Sequence, residues 1–356
     1  MIFLDANAFY WYLGRDKIFS QPSIPKHDVR KCNLFLDSRS DLCIPGSVLM
    51  EMIVHFRDNP NALAQIIQFR EKKRIKVLNN VHEYCFTPDE LEFLCLTHNP
   101  VILKQYANKL LNVKIEIEVK HAYVFLEIVS LLYADYYIKT CNSLSSDQRD
   151  NILYFLGQNL SNELRESYTG QLTSSLQAGY ADNNRSQQAL KKMYIELLVH
   201  NCIIFQMFVD ATVRYIAGGT NLFEAMCQSA TDARNNGFTN DGIMSVIVAA
   251  LSTDSAFLSF AKDEIADIFL RKGYSKHQAD YLKLMLSAWL ERGQKLIKND
   301  IFDMLCVGVL DKREVNHFVN PLIDQNPYLI SFDDTMRNYL CGDFGNARLI
   351  GNFMLP

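Results

Sequence analysis

The chain has 356 residues, of which 49% are apolar and 21% charged, and a formal net charge of −4. This composition excludes disorder, and the length favours two structural units over a single hydrophobic core. The slight negative balance excludes a protein that holds nucleic acid mainly through a dense basic surface, while leaving room for an acidic pocket in which a metal supplies the positive charge.

The chain opens with a short apolar run, Ile2 to Leu4, that ends on Asp5 and leads into an aromatic-rich, helix-like stretch from Phe9 to Tyr12. A buried strand feeding a helix fits this order. The same residues lack the basic start and small-residue cleavage site of a secretory signal. Leu42 to Pro45 reads as a second strand, with Ser47 as the expected N-cap of a following helix that bears Glu51. From Asn61 to Lys76 the pattern is helical and ends in a basic cluster of Arg70, Lys72, Lys73, Arg74 and Lys76. Such a run is usually a solvated face; Arg70, Lys73 and Arg74 are the candidates for steering a nucleic-acid strand.

Asp89 to Leu96 starts a further helix behind Pro88. Residues 113–119, VKIEIEV, alternate apolar and charged but run straight into helix-like sequence, so strand and helix both stay open there. Residues 144–294 consist of amphipathic segments of helical length separated by polar turns. The most apolar of them, Val199 to Ala217, carries His200, Asn201, Gln206, Asp210 and Arg214, which argues against a membrane span and for a buried helix of a soluble protein. Beyond this block, Asn299 or Asp300 caps a helix, IFDMLCVGVL, and Pro327 to Ser331 forms a last strand with Asp333 at its end. A short helix, Asp334 to Tyr339, follows. Strand and helix elements at both ends thus flank a helical middle. The expectation is an α/β domain made of residues 1–100 and 290–356, with an all-helical insertion domain over 101–289.

Nine cysteines, an odd number without a CxxC pair, suit reduced thiols in a cytoplasm. Cys85, Cys95 and His98 come nearest to a zinc cluster, but their spacing matches no familiar pattern and core packing is the better reading. The carboxylates are more informative. Asp5 and Asp333 each end an apolar strand, where ligands bind in open parallel α/β sheets. Glu51 and Asp303 lie on helices next to such strands, Asp303 amid Ile301, Phe302, Met304 and Leu305. Acids near a core are costly unless compensated, and a hard divalent cation would compensate them. Mg²⁺ or Mn²⁺, one ion or two, would serve phosphodiester hydrolysis, with Asn7 and Ser331 holding the carboxylates in position. Each acid also has a structural reading. Asp5 can simply terminate a strand, Glu51 can face solvent, and Asp300 and Asp333 can cap helices. Asp300 and Asp303 share a helix face, where like charges repel unless a cation lies between them.

Four segments in order resemble the motifs of PIN-domain nucleases. MIFLDANAF is similar to the first, a strand ending in Asp; IPGSVLMEM to the second, a turn and a helix bearing Glu. NDIFDMLCVGVL is similar to the third, an Asp opening an apolar helix, with Asp300 and Asp303 both eligible, and LISFDDTM to the fourth. The resemblance covers residues 1–80 and 295–350. It implies an α/β/α sandwich around a parallel sheet, with Asp5, Glu51, Asp303 and Asp333 as metal-binding and catalytic residues and Asn7 and Ser331 in support. It further implies a cytoplasmic endonuclease, most often acting on RNA as a toxin-like or defence effector, that leaves a 5′-phosphate and a 3′-hydroxyl. DNA is the alternative substrate. Where typical members place a few helices between the second and third motifs, this chain has the whole helical block. That block could bind substrate, receive an inhibitory or regulatory protein, or mediate homo-oligomerisation. Two other readings compete: a non-catalytic PIN-like scaffold, and a haloacid-dehalogenase type phosphatase with Asp5 as nucleophile and Gly342 and Asp343 as a late metal motif. The phosphatase is disfavoured because Asn7 stands where its general acid is needed.

Overall fold

The structure is a computed structural model that describes residues 1–13, 34–78, 80, 99–140, 144–181, 186–218, 224, 255–292, 300–311, 327–331, 333, 336 and 339, with backbone alone at 100, 186–195, 255, 288–292 and 300. The chain is mostly helical, with one small parallel sheet, and divides into two units. The first consists of Met1–Ile117, Tyr274–Tyr281 and Asn299–Pro356; the second of Glu118–Gly273 and Leu282–Lys298.

In the first unit, β1 (Ile2–Leu4) leads into α1 (Ala6–Leu13), and β2 (Leu42–Pro45) into α2 (Gly46–His55). Next come α3 (Pro60–Lys72) and β3 (Lys76–Leu78). The sheet order is β3-β2-β1-β4, with β4 (Tyr328–Ile330) added from near the far end of the chain. All its pairs are parallel, with Phe3 opposite both Cys43 and Leu329. β1 and β2 are buried along their whole length, which is why they read as continuous apolar runs and not as alternating ones. On the helical side, Phe69 of α3 receives the ring edges of Phe9 and Tyr12 from α1 at 5.6 and 5.1 Å.

Two local expectations need correction, and the open choice over residues 113–119 is decided. The helix over residues 61–76 ends at Lys72, and Lys76 opens a strand. Arg74 adopts φ 55°, its amide donates to Glu71 O, and the Ile75 amide donates to Arg70 O, which together close α3 as a Schellman turn. Ile75 and Leu78 then bury themselves in the sheet region. Ser47 is not the cap of α2, because the helix begins at Gly46 with Pro45 in the capping position and Ser47 lies fully buried in the first turn. Residues 113–119 are helical, inside the 41-residue α4 (Pro100–Thr140). Their alternating charges do not mark a strand with one wet face, since Lys114 and Glu118 are themselves buried. The Lys114 ammonium sits 3.7 Å from the centre of the Phe302 ring in the first unit, and Glu118 accepts a hydrogen bond from Tyr180 in the second. Asp89 to Leu96 lies outside the described residues, as does most of 334–339.

The second unit contains the later part of α4, then α5 (Ser146–Phe155), a π-helical turn (Leu156–Leu160), α6 (Ser161–Ala181), α7 (Ser186–Gly218) and α8 (Ser255–Arg271). Partners from α4 to α6 run in opposite directions, Glu118 to Tyr180 and Glu127 to Arg165. Those from α4 to α7 run in the same direction, Tyr133 to Gln206 at 3.0 Å and Tyr137 to Asp210 at 2.7 Å. The buried Glu127 also takes Lys272 at 2.7 Å, so one carboxylate links three segments. Glu196–Gly218 within α7 is long and apolar enough to cross a membrane by length and composition. Two of its polar groups behave as those of a protein-core helix, since Gln206 and Asp210 are hydrogen-bonded to α4.

The helix α9 (Lys276–Arg292) starts in the first unit, where Ser275 and Gln278 cap it reciprocally. α10 (Asp300–Val307) follows and passes into a 3₁₀ turn, Gly308–Leu310. A Cβ at Gly308 would stand 2.7 Å from the Gln278 amide, so a side chain there would require Gln278 to shift.

Candidate functional site

From β1 the chain builds outward to β2 and β3 on one side, while β4 is laid on the other. The direction of sheet growth therefore reverses between β1 and β4, and the carboxyl ends of strands at such a reversal are where open parallel α/β sheets bind ligands. Asp5 is the first residue beyond β1, and Ser331 the first beyond β4.

Asp5 is buried, and its backbone amide extends the strand pairing by donating to Ile330 O at 3.1 Å. Its carboxylate does two things. Oδ1 accepts the Ala8 amide at 2.6 Å and so caps α1, and Oδ2 accepts the Ser331 hydroxyl. The same hydroxyl oxygen accepts the Asp333 amide at 3.0 Å, which leaves its proton directed at Asp5. Asp333 is half-buried and its Oδ1 accepts the Met336 amide at 3.0 Å. The structural readings of Asp5 as a strand end and of Asp333 as a cap thus hold alongside their meeting at one place, and Asp5 caps α1 besides.

Glu51 stands half-buried on α2, and Asp303 half-buried one turn into α10. Burial pushes the Asp5 carboxyl up to about 7 against the hydrogen bonds from Ser331 and Ala8, and the negative charges of Asp333 and Glu51 add to the rise. The buried Cys306 thiol, one turn after Asp303, is pushed well above the ordinary thiol range by burial and then by Asp5, Asp303 and Glu51. Glu51 therefore lies within electrostatic reach of both groups, Asp333 of Asp5, and Asp5 and Asp303 of Cys306. Asp300 opens α10, but its side chain lies outside the described residues. Asn7 occupies the first turn of α1, half-buried.

Among the described residues, no three His, Cys, Asp or Glu side chains form a compact ligand cluster. The donor chemistry nevertheless fits a hard cation, because Mg²⁺ and Mn²⁺ prefer oxygen and Mg²⁺ keeps several waters while taking only one or two carboxylates directly. A carboxyl that burial, and after it like charge, holds near neutrality is also the group that a cation would relieve most.

Of the basic candidates, two are committed to partners inside the chain. Arg70 donates to Ile75 O at 3.0 Å, across the turn that ends α3. Lys73 is paired with Asp37 and lies 4.9 Å from the centre of the Tyr12 ring. Arg74 is exposed. Two groups beside the acids were given no role by the sequence reading. One is Cys306, whose spacing of three from Asp303 puts both on one helix face and was there to be read. The other is Tyr10, a buried phenol held protonated by burial and by Glu51 and Asp5; in the sequence it is one aromatic in a run of four. Cys85, Cys95, His98, Gly342 and Asp343 lie outside the described residues. Compared with known proteins, the chain matches no family model, no curated protein and no solved structure.

Proposed function

We propose that this chain is a metal-dependent endonuclease with a PIN-like α/β/α sandwich, and that its substrate is RNA. The observation that carries the reading is the meeting of Asp5, Ser331 and Asp333 at the carboxyl ends of two adjoining parallel strands, with Glu51 in electrostatic reach of Asp5. In this reading Asp5, Glu51, Asp303 and Asp333 hold one or two Mg²⁺ or Mn²⁺ ions, with Asp300 eligible as a further ligand. A bound cation supplies the Lewis acidity that phosphodiester hydrolysis needs. Ser331 orients Asp5 by donating its proton, and the Asp333 amide fixes that hydroxyl in turn. Water adds at phosphorus, the 3′ oxygen leaves with a proton, and the products are a 5′-phosphate and a 3′-hydroxyl. Steering of the strand falls chiefly to Arg74, since Arg70 and Lys73 have partners within the chain.

Incubation of the full chain with single-stranded RNA, and in parallel with DNA, tests this in Mg²⁺ or Mn²⁺. Asp5→Asn and Asp303→Asn should each lose roughly 100-fold or more in cleavage rate. Undiminished cleavage in both variants would sink the assignment, and faster cleavage of DNA would change the substrate. Asp300→Asn, run beside them, identifies the ligand on α10. One observation favours a non-catalytic scaffold instead: Asp5 and Asp333 both serve as helix caps. A scaffold would bind Mn²⁺ no better than its Asp5→Asn variant, so calorimetric titration separates the two.

A further inference from the structure

The helix that carries Glu51 begins without a cap of its own, because Pro45 occupies the capping position and offers no side-chain acceptor. The missing partner comes from the end of a neighbouring strand. Asn80, two residues beyond β3, accepts the Ser47 amide at 2.9 Å through Oδ1. Its Nδ2 donates to Ser47 Oγ at 3.0 Å and to Leu305 O at 3.1 Å. One carboxamide thus satisfies a donor in the first turn of α2 and a carbonyl in the last turn of α10.

These anchor points bear on the acids. Glu51 lies four residues after Ser47, on the same face of α2, and Asp303 lies two residues before Leu305. Asn80 thus ties the two helices together close to where they carry their carboxylates. We propose that Asn80 is a positioning residue of the acidic site, setting the separation of Glu51 and Asp303 and through it the affinity for a divalent cation. This rests on the metal-site reading above. Nothing in the local sequence, KVLNN, announces the role; it follows from three hydrogen bonds made by one side chain.

The test is Mn²⁺ binding to the full-length protein, measured by calorimetry and by the electron paramagnetic resonance of free Mn²⁺. Asn80→Ala should weaken binding about tenfold or more. Leu172→Ala, a core truncation in the second unit, should leave it within about twofold even where it lowers thermal stability as much. Asn80→Asp keeps the acceptor for the Ser47 amide and deletes the donor that links the helices. Its added negative charge would by itself strengthen cation binding, so weaker binding reports the broken link, and this variant serves where Asn80→Ala does not fold. Wild-type affinity in folded Asn80→Ala, or unchanged or tighter binding in Asn80→Asp, overturns the positioning role while leaving the metal site standing. No Mn²⁺ binding by the wild-type chain overturns the metal site and the positioning role together.

Discussion

Asp5 ends a strand, caps a helix and faces two other acids, and these duties pull its ionisation in opposite directions. Burial and like charge raise the carboxyl from its usual range to about 7, while the unfolded chain releases the same proton near pH 4. Between those values the folded state holds a proton that the unfolded state has lost. The stability this contributes is present below about pH 4 and is lost as pH rises to 7. Asn at this position cannot ionise, so with EDTA present Asp5→Asn should gain stability over the wild type as pH rises from about 4.5 to 8. The gain should reach at most roughly 4 kcal/mol. Urea unfolding at several pH values measures it, and a difference that does not change with pH would show that Asp5 does not carry this burden.

At the scale of elements, the exit from α3 is the clearest case of a local rule broken. Arg74 takes the left-handed conformation that closes a Schellman turn and is most often given to glycine. Arg74→Gly is therefore expected to raise stability by roughly 0.5–1 kcal/mol, seen as a higher midpoint of thermal unfolding. If Arg74 also steers substrate, the same variant binds RNA more weakly while being more stable, a combination that loss of structure cannot produce. The turn explains what the sequence hid. Three strands were legible because each is an apolar run ending at a proline or just before an acid or serine, at Asp5, Pro45 and Ser331. β3 was not, since its three residues continue a helical pattern and only the backbone of Arg74 interrupts it. The acids at strand exits could likewise be read from the chain, and so could the spacing of Asp303 and Cys306. Asn80 could not, as its link to Leu305 spans 225 residues.

For the whole molecule, the division into two units gives the metal reading a spatial signature. The candidate acids all belong to the first unit, which holds the sheet, and the helices from α5 to α8 belong to the second. In native-state hydrogen exchange, Mn²⁺ is expected to slow exchange of amides in β1, β4, α1, α2 and α10, with little change at α6 and α7. Equal slowing in both units would contradict a site confined to the first. The sheet itself has a further consequence. Asp5 and the hydroxyl that orients it are 326 residues apart, and β1 has β2 on one flank and waits for β4 on the other. At about 5–20 residues per second, a ribosome needs on the order of 16–65 s to travel from one to the other. Throughout that interval Asp5 lacks Ser331 and Asp333, and for most of it the Asp303 helix as well, so a growing chain can fold its helical middle while the acids remain apart. Under the nuclease reading, the template message would be spared by the order of synthesis itself until the codon for Ser331 had been read.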